Sequence, residues 1–173
     1  MTEPLNEPLT ASSARRASDS STEMVQVVLP NDANPLGFIL GGTVMHLIDI
    51  AGAIASFRHA RSRVVTAAVD DLVFLHPIKV GDLIILHAQV TCAFRTSLEA
   101  QVDVHSEEAL TGRRQLTSRA FLTFVAIARD GARVAVPPLV LETDEERRMA
   151  EEAQRRRGER LRRRASVTST EIS

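Results

Sequence analysis

The sequence predicts an α+β fold in which one long, buried helix packs against an antiparallel sheet. The first observation is a stretch at 43–57 that is apolar nearly all the way round, a pattern typical of a helix enclosed by other elements. The second is that the later segments are rich in β-branched residues and are separated by short, turn-like connections. A single long helix covered by strands of hairpin type indicates an α+β arrangement.

The N-terminal part of the chain reads as a tail, a strand and a turn. Residues 1–22 are rich in Pro, Ser and Thr and contain only two leucines, so we expect them to be disordered. A β-rich run over 25–29 ends at Pro30, where the sequence NDANP is typical of turns. The helix begins after Gly41 and Gly42, with Thr43 as the expected N-cap. We assign one globular domain to 23–141.

Four strand-like segments follow the helix, over 64–75, 83–94, 97–107 and 117–128. Apolar and polar residues alternate strictly over 98–105, which predicts a strand with one buried and one exposed face. The segment 117–128 is apolar on both faces and is therefore expected to be central. With one helix available, the other face of the sheet must be solvated or covered by a partner.

A charged helix is predicted over 142–165, followed by a disordered tail over 166–173. Thr143 and Glu146 form a capping box at its start, and pairs such as Glu151 with Arg155 have the favourable i,i+4 spacing. Its apolar stripe is weak, so we expect a solvated or loosely docked helix. Interleaved glutamates and the lack of aromatic residues favour a solvated face over binding of nucleic acid or anionic lipid.

Composition excludes several classes of protein. The formal net charge of −1 offers no global field for nucleic acid or membrane. The longest apolar stretch is interrupted by His46 and Asp49, so a membrane span is not expected. Cys92 is the only cysteine, which excludes an intramolecular disulfide and fits a reducing compartment. With no apolar leader-like segment at the start, we expect a cytoplasmic protein.

Most common catalytic motifs are absent from the sequence. It contains no G-x-S-x-G elbow, no P-loop and no G-x-G-x-x-G fingerprint. The five histidines share no metal-ligand spacing, and Cys92 falls within a predicted strand. A metal site or a cysteine nucleophile is therefore not expected.

The remaining candidates are Asn34, Gly41, Gly42 and Asp49. Asp49 is an acid in an otherwise apolar helix; it either accepts hydrogen bonds from a neighbouring strand, reaches solvent at a groove, or acts as a base. The two glycines place backbone N–H groups at the positive end of the helix dipole, where a carbonyl oxygen could be polarised, although they would also allow tight packing. Asn34 could hold a water or form an Asx-turn before Pro35.

Spacing along the helix separates two of these candidates. Asp49 lies two turns beyond Gly42, about 10 Å along the axis. A carbonyl bound at Gly42 is therefore far from Asp49 of the same chain. If both act on one substrate, we expect a second chain to supply one of them.

Four segments resemble the hotdog-fold acyl-CoA thioesterases: DANPLGFILGGTVMHLIDIAGAIASFRHA, FLHPIKVGDLIILHAQV, TSLEAQVDVHSEEALTGRRQLTSRAFLTFVAI and VPPLVLETDEERRMAEEAQRRR. They are similar to the cytosolic acyl-CoA hydrolases, including the brain-type long-chain enzyme and bacterial single-domain relatives. The resemblance covers about residues 24–163. Its most specific part is N-x-x-G-x-x-x-G-G, with an acid seven residues after the second glycine.

The resemblance implies a hotdog fold, in which a five- to six-stranded antiparallel sheet wraps one central helix. It also implies a dimer with continuous sheets, assembled as a trimer of dimers, and active sites at the dimer interface. Asn34 of one subunit and Asp49 of the other match the family's site residues. Leu40 departs from the family, whose members often have Phe or His before the paired glycines.

The implied reaction is hydrolysis of fatty acyl-CoA to a free fatty acid and CoA. Asp49 would act as general base on a water oriented by Asn34, and the N–H groups of Gly42 and Gly41 would polarise the thioester carbonyl. No cofactor is implied, since CoA is part of substrate and product. The charged CoA nucleotide is expected near five residues at the sheet edge: Val65, Thr66, Arg95, Thr96 and Ser97.

Two alternative functions stay open from the sequence. A hotdog module could bind acyl-CoA as a regulatory ligand without turning it over. A hotdog hydratase would need a histidine beside the acid, and His46 lies three residues before Asp49 on the same helical face. Direct attack by the Asp49 carboxylate, forming an anhydride, is a further alternative to general-base catalysis.

Overall fold

The computed structural model describes residues 13–170, and beyond residue 166 only their backbone. Within this range the chain order is β1 (Arg15–Arg16), β2 (Thr22–Val27), α1 (Gly41–Ala60), β3 (Arg63–Phe74), β4 (Leu83–Ala93), β5 (Ser97–Glu107), β6 (Arg114–Ile127), β7 (Leu139–Val140) and α2 (Asp144–Thr170). Short 3₁₀ turns follow β1 and β2.

Five of these strands form one antiparallel sheet in the spatial order β2-β4-β5-β6-β3. β1 pairs with β7 in a separate two-stranded parallel ribbon. Helix α1 lies against one face of the large sheet, which confirms the predicted α+β class and the wrapped central helix. β2 and β3 are the edge strands, and β3 is the longer of the two.

Small side chains let α1 approach the sheet closely. Ala51 and Ala55 are fully buried, and Gly52 faces the rings and branches of Phe124 and Val102. The alternation predicted for β5 is confirmed, because its even-numbered residues 98–104 all lie in the core. One face of each central strand therefore supplies the platform on which α1 rests.

The helix starts earlier and ends later than the sequence predicted. It begins at Gly41, with Leu40 as an extended N-cap that makes no side-chain cap, so the expected capping role of Thr43 is wrong. The first turn closes through the N–H of Val44, which donates to the carbonyl of Leu40 at 3.1 Å. Because glycine has no Cβ, the loop can turn directly into the helix at Gly41 and leave its first N–H groups uncapped.

Helix α2 covers part of the outer face of the sheet, and its docking is not loose. Ala150 and Ala153 are buried, and Arg156 forms a two-point ion pair with Glu99 of β5 at 2.8 and 3.0 Å. This contact buries Glu99, which the period of two predicted to be exposed. The expectation of a solvated or loosely docked helix is therefore wrong for this face. The helix also runs to Thr170, beyond the predicted end at 165, while residues 171–173 lie outside the described range.

The N-terminal segment is also more ordered than predicted. Residues 1–12 of the expected tail lie outside the described range, but 13–22 contain β1, a 3₁₀ turn and the start of β2. Ala17 and Ser20 are buried, and the Ser20 hydroxyl accepts a hydrogen bond from the N–H of Val90 at 2.9 Å. Expected disorder over 13–22 is corrected here, because burial of small side chains and backbone bonding offset the polar composition.

None of the helices in the described part of the chain is long and apolar enough to cross a membrane. Among the same residues, no cluster of His, Cys, Asp and Glu has the geometry of a metal site. Burial raises the pKa of the Cys92 thiol to about 11, and the Glu99 carboxylate acts in the same direction. This thiol is therefore protonated at neutral pH, which disfavours its use as a nucleophile.

Two helical glycines give a matched test of the packing. A Cβ at Gly52 would lie 3.0 Å from two ring atoms of the fully buried Phe124, whereas at Gly158 of α2 nothing lies within 4 Å. Both Ala substitutions gain helix propensity of about 1 kcal/mol, but Gly52→Ala also overpacks the core, which costs about 1–3 kcal/mol. We expect Gly52→Ala to lower, and Gly158→Ala to raise, the unfolding midpoint in urea. Equal effects would contradict this packing.

Buried His59 predicts a pH dependence of stability. Its Nε2 lies 2.8 Å from the carbonyl oxygen of Pro137, and among described atoms its Nδ1 has no partner. Burial lowers the pKa of His59 below 6.5, and the nearby Arg15 acts in the same direction against the Pro137 bond. The unfolded chain therefore takes up a proton that the folded chain excludes, and stability falls as the pH drops below 6.5.

The test compares the wild type with His59→Gln, whose amide nitrogen can still donate to Pro137. Unfolding free energies are measured from about pH 8 to about pH 5. We expect the wild type to lose more stability than the variant over the acidic half of this range. Parallel curves would rule out His59 as the source.

Candidate active site

The loop before α1 is organised by Asn34. Its side-chain oxygen accepts hydrogen bonds from the N–H groups of Leu36 and Phe38, at 2.9 and 3.2 Å. Its backbone carbonyl accepts from the N–H of Gly37, which adopts φ +79°, a conformation that glycine allows at little cost. The Asx-turn expected as one reading of Asn34 is therefore present. Since only the amide oxygen makes these bonds, the amide NH₂ stays available as a donor.

A cavity of about 350 Å³ opens beside this loop. Asn34 and Gly41 both line it, so the structure brings these two predicted site residues together. The rest of the lining is mostly apolar and comes from the loop, α1, the end of β3, the connection after β3, and β6: Phe38, Ile39, Val44, Phe74, Leu75, His76, Pro77, Ile78 and Ser118. An apolar cavity with a few polar groups is typical of a small-molecule site.

The start of α1 presents backbone donors, and of its two glycines Gly41 lines this cavity whereas Gly42 does not. Gly41 and Gly42 are exposed, and a helix offers no internal acceptor to its first N–H groups. These groups lie at the positive end of the helix dipole. The arrangement can stabilise negative charge that develops on a carbonyl oxygen.

Asp49 lies away from this cavity and contacts a strand. Its carboxylate accepts a hydrogen bond from the Thr66 hydroxyl of β3 at 2.6 Å. The expected bond to a neighbouring strand is therefore present, and the half-buried side chain keeps partial access to solvent. Asp49 does not line the cavity that Asn34 and Gly41 share. The structure thus keeps the two halves of the predicted site apart within one chain.

The contact between Thr66 and Asp49 was not visible in the sequence. The sequence predicts Thr66 beside Val65 near the CoA nucleotide, and the structure adds a hydrogen bond from its hydroxyl to the carboxylate of Asp49. The two residues are 17 positions apart, and only the packing of α1 against β3 brings them together. A lone Thr within a β-rich run carries no signal of such a partner.

The remaining predicted CoA-binding residues lie at one end of the sheet. Val65 and Ser97 pair with Val125 from opposite sides, so β3, β6 and β5 present them in one row. In the turn before β5, the carbonyls of Arg95 and Thr96 accept bonds from Val136 and Ala126. The side chain of Arg95 is exposed, which leaves a cation beside this row.

The Asp49–Thr66 pair adjoins an open edge of the sheet. β3 pairs with β6 on one side only, so the other side carries backbone groups without strand partners among the described residues. Three valines of this strand, Val65, Val69 and Val73, are each nearly half exposed. An apolar open edge of this kind is a surface on which a further strand can pair.

Comparison with protein families and curated proteins gives a consistent result. A family model described as thioesterase superfamily matches residues 36–112. The chain is 38% identical over 146 residues to an uncharacterized acyl-CoA thioester hydrolase of Bacillus subtilis, covering 84% of this chain and 85% of that protein. It is 32% identical to the human cytosolic acyl coenzyme A thioester hydrolase, covering 80% of this chain but only 37% of the human protein.

Solved structures with the same architecture carry related names. A Staphylococcus aureus acyl-CoA hydrolase, solved with butyryl-CoA and CoA, superposes with a TM-score of 0.84 at 33% identity, covering 91% of this chain and 96% of that one. An apo-hexameric acyl-CoA thioesterase superposes with a TM-score of 0.85 at 41% identity, covering 88% and 98%. The Staphylococcus enzyme has also been solved with an Asn, an Asp and a Thr each replaced by Ala, at successive spacings of 15 and 17 residues.

Proposed function

This chain belongs to the acyl-CoA thioester hydrolases of the thioesterase superfamily, and from that membership we propose that it hydrolyses fatty acyl-CoA to a free fatty acid and CoA. The observation that carries the proposal is that each copy presents an oxyanion-type helix start beside Asn34 and, about two turns further along α1, a carboxylate held by Thr66. Neither a bound cofactor nor a metal enters this chemistry.

The thioester carbonyl binds at the N–H groups of Gly42 and Gly41, which take up charge as the carbonyl oxygen becomes an oxyanion. The Asn34 amide donates to the attacking water, and Asp49 takes the proton that the water loses. The oxygen of the water bonds to the carbonyl carbon, the C–S bond breaks and the CoA thiolate leaves. Direct attack by Asp49 would instead form an enzyme-bound anhydride.

Each site is shared between two copies of the chain. Asn34 and Gly41 line a cavity that Asp49 of the same chain does not reach, and Asp49 lies beside the open edge of β3. A second copy that pairs along this edge, related by a two-fold axis, would place each Asp49 near the other copy's Asn34. A homodimer then has two complete sites.

Thr66 completes the site by holding the carboxylate. The spacings from Asn34 to Asp49 and from Asp49 to Thr66 equal those between the three residues replaced in the Staphylococcus enzyme. That coincidence supports all three as site residues here. A hydroxyl donor at 2.6 Å fixes the direction in which the Asp49 oxygens point.

The CoA moiety binds along the row at the end of the sheet. Arg95 pairs with its phosphates, and Thr96, Ser97 and Val65 lie beside it. The apolar cavity beside Gly41 takes the acyl chain. Three dimers assemble into a hexamer, a proposal supported by the hexameric state of one relative, and the protein works in the cytoplasm, as the name of its cytosolic human relative suggests.

Substitution of the three site residues tests the mechanism. Release of CoA from a panel of acyl-CoAs is measured for Asp49→Ala, Asn34→Ala and Thr66→Val, with the exposed Glu151→Ala as the control. We expect kcat to fall about 10²–10⁴-fold without the base, about 10²-fold without Asn34 and about tenfold without Thr66. Full turnover by Asp49→Ala would refute the mechanism, and an inactive wild type would refute the proposed function.

Subunit complementation tests the shared site. Asp49→Ala and Asn34→Ala chains alone are each expected to retain about 1% of wild-type activity or less, but a mixed dimer has one intact site, built from Asn34 of one chain and Asp49 of the other. Co-expression in equal amounts should restore about a quarter of wild-type activity, since half of randomly formed dimers are mixed and half of their sites are intact. No recovery, despite mixed oligomers detected by differential tags, would mean that each chain builds its own site.

A further inference from the structure

We propose that Arg160 of α2 is a positioning residue for the reaction, holding edge strand β3 through the buried carboxylate of Asp70 and thereby fixing Thr66 and Asp49. The inference rests on the proposed function and extends it to the opposite face of the sheet. Arg160 lies on the outer face, whereas α1 and Asp49 lie on the inner one.

Asp70 is almost completely enclosed. Its side chain is 3% exposed although β3 is an edge strand. The Arg160 guanidinium donates to one carboxylate oxygen, which also accepts from the Thr123 hydroxyl at 3.1 Å. Arg163 lies 3.9 Å from the other oxygen. A carboxylate buried this deeply needs such partners, so Asp70 ties its strand to α2.

Asp70 also sits at an irregularity of β3. The pairing of β3 with β6 shifts register between Val69 and Asp71, and again between Thr66 and Ala68. A bulge leaves its extra residue outside the regular ladder and bends the strand. Two bulges within six residues therefore weaken the hold of β6 on this part of β3. The ion pair with Arg160 supplies a restraint where the ladder is interrupted.

The bulge between Thr66 and Ala68 directly follows the residue that holds the catalytic carboxylate. Thr66 precedes the shift at Ala68, and its hydroxyl is the only group recorded as donating to Asp49 among the described residues. The position of β3 at the bulges therefore sets where the Asp49 oxygens lie. Displacement of a reacting group by about 1 Å can cost about 10²-fold in rate.

A second ion pair of α2 makes it possible to distinguish the restraint of β3 by Arg160 from the general docking of α2 on the sheet. Arg156 pairs with buried Glu99, but Glu99 belongs to the central strand β5, which has a paired strand on each side although β4 bulges opposite Glu99. Both arginines are about four-fifths buried and lie one turn apart on α2. Removal of Arg156 weakens docking without releasing β3, which makes it a matched control.

The experiment compares full-length Arg160→Met, Arg160→Lys and Arg156→Met by CoA release and by amide hydrogen exchange of β3. We expect Arg160→Met to lower kcat about tenfold with KM within about twofold, because geometry in the transition state is affected more than substrate binding. Arg160→Lys should restore most of kcat, since an ammonium can still pair with Asp70. Exchange in β3 should rise in Arg160→Met only.

Arg156→Met should lower the thermal midpoint yet keep kcat within about twofold of wild type. Asp70→Asn, which retains an acceptor for Thr123, is the second variant if Arg160→Met does not fold, and it should show the same loss of kcat. Unchanged kcat in the Arg160 or Asp70 variant, or an equal loss in Arg156→Met, overturns the proposal. An inactive wild type would refute the proposed function instead, while the exchange of β3 would still test the restraint.

Discussion

A helix without a polar face needs cover on all sides, and a single sheet can cover only one. One side of α1 is buried against the sheet, which can approach closely because the residues there, Ala51, Gly52 and Ala55, are small. On the other side Met45 and Phe57 stay 47% and 44% exposed in the single chain. The uncapped start of the helix and its one carboxylate lie along this uncovered side, so in the proposed dimer one contact would complete both the core and the site.

The outer face of the sheet differs from the inner face, because α2 packs on it mainly through ion pairs. Two buried carboxylates, Glu99 and Asp70, each form an ion pair with an arginine of α2. Such pairs add little net stability, since the desolvation of both ions offsets their attraction, but removing one partner costs about 3–5 kcal/mol. Their main effect is specificity, because α2 has a weak apolar stripe and only one register satisfies both acids.

Local sequence patterns predicted individual elements and the candidate acid, but not the contacts between distant parts of the chain. The apolar run marked α1, the period of two marked β5, and the isolated acid marked Asp49. Sequence could not reveal the bond from Thr66 to Asp49 or the pairing of Arg160 with Asp70, since those partners lie 17 and 90 positions apart. For the same reason the order of residues 13–22 was missed: their polar composition says nothing of the surface on which Ala17 and Ser20 are buried.

The two bulges of β3 also affect the tendency of this protein to aggregate. A long, flat edge that exposes three valines would be a template for strand addition without limit, the route to fibrils. Bulges break that template, because an incoming strand must match a ladder that shifts register twice. An identical strand that runs antiparallel carries the same two bulges. A two-fold axis between the strands brings the bulges of one strand into positions equivalent to those of the other. The edge is therefore a poor template for foreign strands, and in the proposed dimer it would favour an assembly that closes.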